Sequence, residues 1–150
     1  MRLVVQRVTG ASVRVDGAEI AAIGHGALVL AGIGHGDTPE IADRMAAKLL
    51  GLRYFEDAEG RTNLAIADAG GALLVVSQFT LLADLRRGRR PGFTAAAAPE
   101  RAVPLLDRFV AMLRESGTQV SVGRFGAEMA VELVNDGPFT LVIDSAVDLA

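Results

Sequence analysis

The alternation of apolar and polar positions changes period several times along this chain, and each change predicts an element. Residues 3–8 are β-branched and apolar with Gln6 and Arg7 inserted, and residues 12–15 alternate up to the pair Asp16-Gly17. Two extended segments and a hairpin turn are expected, so the chain opens as a β-meander. Residues 27–33 are a continuous apolar run closed by Gly34. After Asp37, the order Thr38-Pro39-Glu40 supplies an N-cap, a first-turn proline and an acidic residue, so a helix begins there. Its Ile41, Met45 and Leu49, with Ala42 and Ala46 beside them, form one apolar stripe, while Asp43, Arg44 and Lys48 fall elsewhere on the cylinder.

Residues 52–55 resume an extended pattern, residues 57–60 read as a hairpin turn, and residues 72–76 have the length and composition of a buried strand. That strand leads directly into Ser77-Gln78-Phe79-Thr80. Pro99 opens a second helix in which Leu105, Leu106, Phe109, Val110 and Leu113 share a face, Pro104 is expected near the first turn, and Gly117 is the stop. Residues 120–122, 129–134 and 139–143 complete the strands, with Asn135-Asp136-Gly137-Pro138 joining the last two. Strands outnumber helices and no linker interrupts them. The expected fold is α/β, one domain over residues 1–150, with β-rich sheet layers covered by helices on one face. The tetrad Ile-Gly-His-Gly occurs at 23–26 and again at 33–36; two similar turns explain it better than a repeat unit.

Composition narrows the function. At 150 residues, 51% of them hydrophobic, the chain can bury one sizeable core. No apolar stretch approaches the roughly 18 residues of a membrane span, and the start reads as a strand and not as a signal peptide, so a cytoplasmic, membrane-free protein is expected. The absence of cysteine excludes disulfides, thiolate nucleophiles and Cys-based metal sites. A net charge of −3 argues against coating nucleic acid through the whole surface, so any RNA contact is local and no DNA partner is expected.

Familiar catalytic sets are missing: there is no G-x-S-x-G elbow, no Walker loop, no H-E-x-x-H helix and no G-x-G-x-x-G after the first strand. His25 and His35, the only imidazoles, are each flanked by glycines and read as exposed turn residues, so no metal is expected. Four segments remain. Ser77-Gln78-Phe79-Thr80 puts polar side chains and free amides where active sites form at a sheet edge, or is an ordinary strand end. Arg86-Arg87-Gly88-Arg89-Arg90-Pro91 is a concentrated anion-binding patch in an acidic protein, or a solvated loop. Asn135-Asp136-Gly137-Pro138 suits a plain turn. Arg7, a charge inside an apolar strand, must be hydrogen-bonded if buried, or else point outward by alternation.

Taken in order, Val5-Gln6-Arg7-Val8, Ser77-Gln78-Phe79-Thr80, Arg89-Arg90-Pro91, Phe125-Gly126-Ala127-Glu128-Met129 and Asn135-Asp136-Gly137-Pro138 resemble the D-aminoacyl-tRNA deacylases, from Met1 to about Ser145. The resemblance implies a homodimer that hydrolyses the ester at the 3′ end of D-aminoacyl-tRNA, and of glycyl-tRNA mischarged on tRNA(Ala), without metal or cofactor. It implies that Ser77, Gln78, Phe79 and Thr80 line the catalytic pocket and that Gly137 and Pro138, through a cis peptide bond, enter the pocket of the other subunit as a chiral gate. Arg7 would support that gate, Phe125, Ala127 and Met129 would close the pocket, and Arg86, Arg87, Arg89 and Arg90 would contact tRNA phosphates. Thr80 reads as structural, with a hydroxyl nucleophile as the other possibility. Leu82, Arg87 and Gly92 depart from the family pattern, where an aromatic residue, often lysine, and serine are expected. A non-catalytic module that binds the tRNA 3′ end, and a small-molecule esterase, are the competing readings.

Overall fold

A computed structural model describes all 150 residues, Met1–Ala150. Its longest ladder is built on β1 (Arg2–Val15). One edge of β1 pairs antiparallel with β8 (Ala130–Asp144) from Arg2↔Asp144 to Arg14↔Ala130. The other edge pairs first with β3 (Gly26–Gly32), from Arg2↔Gly32 to Val8↔Gly26, and then with β2 (Ala18–Ile23), from Ala11↔Ile23 to Val15↔Ala18. Beyond β3 the sheet continues in parallel through β6 (Ala72–Ser77) and β7 (Val120–Val122). A small hairpin, β4 (Phe55–Glu56) with β5 (Thr62–Leu64), stands apart.

Because β1 changes partner midway, the sheet folds over itself and makes two cores. Alternate residues of the central strands serve one or the other. Ala27, Val29, Ala31, Leu73 and Val75 join α1 (Pro39–Gly51) and α2 (Pro99–Glu115) in the larger core. Leu28, Leu74 and Val76 face Val8, Val13 and Ile23 in the smaller one. A strand covered on both faces has no solvent side for polar residues, which is why 27–33 and 72–76 are unbroken apolar runs. The result is one α/β domain of three layers, sheet on sheet with helices on one outer face.

Local signals hold where the chemistry is local. Asp16 (φ 51°) and Gly17 (φ 78°) make the β1–β2 turn with two left-handed residues. The hydroxyl of Thr38 accepts the Ile41 amide at 3.3 Å as the N-cap of α1. Ala42, Met45, Ala46 and Leu49 bury the predicted stripe. The short α3 (Ser145–Asp148) closes the chain.

Three expectations need correction. The opening is one continuous strand, β1, and not two segments. Pro104 lies in the second turn of α2, not the first; it faces solvent, where the carbonyl of Glu100 that it leaves unpaired can be hydrated. Residues 129–134 and 139–143 are not joined by a reversing turn. Both halves pair with β1 in the same direction, and the register passes from Val8↔Asn135 to Gln6↔Thr140, so residues 136–139 bulge out of a single strand.

Candidate functional site

At the end of β6 the chain stops following the sheet. Gln78 donates its amide to the Ala31 carbonyl at 2.8 Å, and residues Phe79–Leu82 then form one 3-10 turn whose first bond runs from the Leu81 amide to the Gln78 carbonyl at 3.2 Å. The amides of Phe79 and Thr80 precede that first bond and have no acceptor inside the turn. Gly32 permits the arrangement: a Cβ there would lie 3.0 Å from the Gln78 carbonyl oxygen and 3.2 Å from Leu81 Cβ. The Gln78 side-chain amide donates to Thr80 Oγ1, which gives the Thr80 hydroxyl a neutral partner and not a base.

Next to this turn is a cavity of about 600 Å³ lined by Ser77, Gln78, Phe79, Phe125, Ala127 and Met129. These six are candidate site residues from separate parts of the sequence. Thr80 is not in the lining; it sits exposed just past the rim. The loop carrying Phe125 is set by Gly126 (φ 75°) and an Ala127 amide to Arg124 carbonyl bond of 3.2 Å. Phe93, Pro99 and Ala97 also line the cavity, and the pattern of the chain does not mark them as lining residues. Phe93 meets Phe79 edge to face at 5.1 Å, so Phe79, 55% exposed, and Phe93, 39% exposed, form an aromatic rim.

Arg7 is buried, 6% exposed, and does not point outward. Its Nη1 donates to the Tyr54 carbonyl at 2.8 Å and its Nε to the Asp136 carbonyl at 3.1 Å. Its guanidinium carbon lies 4.9 Å from the centre of the Phe139 ring. The guanidinium therefore braces the excursion of β8 at the residue before Gly137. The Gly137–Pro138 peptide bond is cis, and Gly137 has φ 126°. Both residues are exposed, and within their own chain neither lines the cavity beside Ser77.

The arginine loop is a hairpin excursion pinned at its base by two backbone bonds between Asp84 and Gly92, of 2.7 and 2.9 Å. Arg86 turns back on Asp84, and this pairing holds the Asp84 carboxyl well below the usual carboxylate range. Arg87, Arg89 and Arg90 make no hydrogen bond or ion pair within the chain. His25 and His35 are exposed and outside the cavity, and no three His, Asp or Glu side chains converge on a common point.

Residues 4–144 match the family model for D-Tyr-tRNA(Tyr) deacylase. The chain belongs to this family. Two curated relatives, both D-aminoacyl-tRNA deacylases, are 58% identical over 146 residues (Chloroflexus aurantiacus; 97% of this chain, 91% of the relative) and 57% identical over 145 residues (Anaeromyxobacter dehalogenans; 97% of each). A solved structure named c-Myc DNA Unwinding Element Binding Protein superposes with a TM-score of 0.91 at 41% identity, covering 96% of this chain and 98% of that one. A probable eukaryotic D-amino acid tRNA deacylase superposes with a TM-score of 0.78 over 95% of this deacylase-family chain and 97% of its own; at 20% identity it speaks for the fold alone.

Proposed function

We propose that this chain hydrolyses the ester of D-aminoacyl-tRNA, releasing the amino acid and intact tRNA. Family membership supports the ester-hydrolase class, and the observation that carries the mechanism is the cavity beside Ser77, Gln78 and Phe79: the turn at its rim leaves the Phe79 and Thr80 amides unpaired, and its lining holds no titrating side chain able to act as a base. Water attacks the carbonyl carbon, the bond to the ribose oxygen breaks, and that oxygen leaves with a proton. The amides of Phe79 and Thr80 stabilise the oxyanion, as fixed main-chain donors do in dry sites. The terminal ribose hydroxyl organises the water, so no histidine is required.

Chirality is sorted by shape. Gly137 and Pro138 reach the cavity of the second subunit of a homodimer, and their carbonyls leave room for the Cα hydrogen but not for an L side chain. Arg7 holds the excursion that carries them. A substrate without Cβ meets no such obstacle, so glycyl-tRNA(Ala) is also cleaved. Phe125, Ala127 and Met129 close the cavity over the substrate, and Arg87, Arg89 and Arg90 take the tRNA phosphates.

Trace protein incubated with D-tyrosyl- and L-tyrosyl-tRNA tests the reading. Many turnovers on the D-ester and none on the L-ester are expected; release no greater than the protein present means a non-catalytic 3′-end binder. Subunit mixing tests the crossing. A Gln78→Ala chain and a Pro138→Ala chain, each impaired alone, should regain activity when co-assembled, because one of the two sites then draws both of its residues from unaltered positions. In a mixed dimer where Gln78 and Pro138 served a site within one chain, no such recovery would occur.

A further inference from the structure

A second cavity, of about 460 Å³, lies between α2 and β7. It shares Ser77 and Phe125 with the first, so the two spaces meet at the strand end and at one aromatic ring. Its floor is apolar, formed by Val75, Leu106, Val110 and Val122. Its polar wall is one face of α2: Asp107, Arg114 and Glu115, at spacings of seven and eight residues, two turns apart.

The wall carries an ordered set of donors and acceptors. Arg114 Nη2 donates to the Val120 carbonyl at 3.2 Å, which fixes the guanidinium against β7 and leaves its other N–H groups unused. Neither Asp107 nor Glu115 has a hydrogen-bond or ion-pair partner in the chain. Two unpaired carboxylates repel a phosphate and favour a group that turns hydrogen-bond donors toward them. A guanidinium beside them asks for an acceptor on the adjoining side.

We infer that this second cavity takes the pyrimidine base of the nucleotide that precedes the terminal adenosine, and that it favours cytosine. The inference rests on the proposed deacylase reading: with the ester in the first cavity, the terminal adenosine that carries it is seated there with its amino acid. The preceding nucleotide then passes Phe125 with its sugar-phosphate outside and its base against the apolar floor. Cytosine offers its N4 amino group to Asp107 or Glu115 and its O2 and N3 to Arg114. Uracil presents O4 where cytosine has the amino group, so the same carboxylates reject it. Adenine has an amino group and an adjoining ring nitrogen but no counterpart of O2, so Arg114 loses one of its two acceptors.

Short aminoacylated RNAs separate this inference from the reading beneath it. D-tyrosyl esters of adenosine, CpA, UpA and ApA are compared as substrates of the wild-type protein. KM for the CpA ester about tenfold below those of the UpA and ApA esters, at similar kcat, is expected. The Asp107→Asn/Glu115→Gln and Arg114→Gln variants should bring the CpA and UpA values within about twofold of each other, with unchanged thermal unfolding as the check on folding. Equal KM for CpA and UpA in the wild type, a preference for ApA, or discrimination that survives both variants overturns the subsite. If the D-tyrosyl ester of adenosine is itself not hydrolysed, the deacylase reading fails instead.

Discussion

Arg86 and Asp84 are joined by two charge-assisted hydrogen bonds, Nε to Oδ1 and Nη2 to Oδ2, each 2.8 Å long. The pair commits one arginine of the loop to shaping it. Replacing Arg87, Arg89 and Arg90 together by alanine should therefore weaken tRNA binding and flatten its dependence on salt, by a slope of about 0.7–0.9 for each phosphate no longer neutralised. Arg86→Ala should change the slope less than any one of those three. Filter binding across a salt series measures both.

Arg7 stands between two backbone carbonyls with almost no access to solvent. Arg7→Met should cost about 2–3 kcal/mol in chemical denaturation, the scale of hydrogen bonds to a charged group. Arg7→Lys keeps the charge but cannot span the carbonyls of Tyr54 and Asp136 with one ammonium, so it should rescue little. On the proposed mechanism both variants also cleave L-tyrosyl-tRNA, which a matched D and L assay detects.

Thr80 bonds to a neutral amide and both histidines lie outside the cavity. Thr80→Ala should keep turnover within about tenfold of wild type, and a His25→Ala/His35→Ala double variant should match it. The pH profile of kcat/KM should have no inflection near the ordinary histidine value of about 6.5. Loss of all turnover in folded Thr80→Ala would revive the hydroxyl as nucleophile.

Gly32→Ala places a methyl group 3.0 Å from the Gln78 carbonyl. The backbone of the turn at Phe79–Leu82 has to move, so on the proposed mechanism turnover should fall at least about tenfold while the melting temperature shifts by only a few degrees. Steady-state kinetics beside a thermal melt distinguishes displacement from unfolding.

Tyr54 carries a buried hydroxyl with no hydrogen-bond partner, and burial pushes its pKa well above the ordinary 10.0. Tyr54→Phe removes an unsatisfied group and should stabilise the chain by about 1 kcal/mol. The pH signature has a definite sign. A tyrosine whose folded pKa is raised contributes full stability below about pH 10 and loses it as pH climbs toward the folded value. Wild type should weaken above about pH 10 in urea titrations, and Tyr54→Phe should weaken less.

The legible parts of this sequence are those whose cause is local or periodic. Thr38 with Pro39, Asp16 with Gly17, and the apolar runs around Val29 and Leu74 each carry their own explanation, and the pocket residues Ser77, Gln78, Phe79, Phe125, Ala127 and Met129 are reached by resemblance. What stays hidden depends on distant partners. Asn135 to Pro138 has the composition of a turn, and only pairing of both flanks with β1 makes it a bulge. Phe93 and Pro99 enter the cavity wall because the chain after the arginine loop returns to it, and nothing in their neighbours announces that. Asp84 lies only two residues from Arg86, yet proximity alone does not reveal which of four arginines folds back on it.

The outer edge of β8 has no partner within the chain, and an open edge of that length invites edge-to-edge pairing with other molecules. Residues 136–139 divide it into two short stretches out of line with each other. The insertion that projects Gly137 and Pro138 thus also interrupts the border along which fibres would grow, and straightening it would leave a longer, aggregation-prone edge.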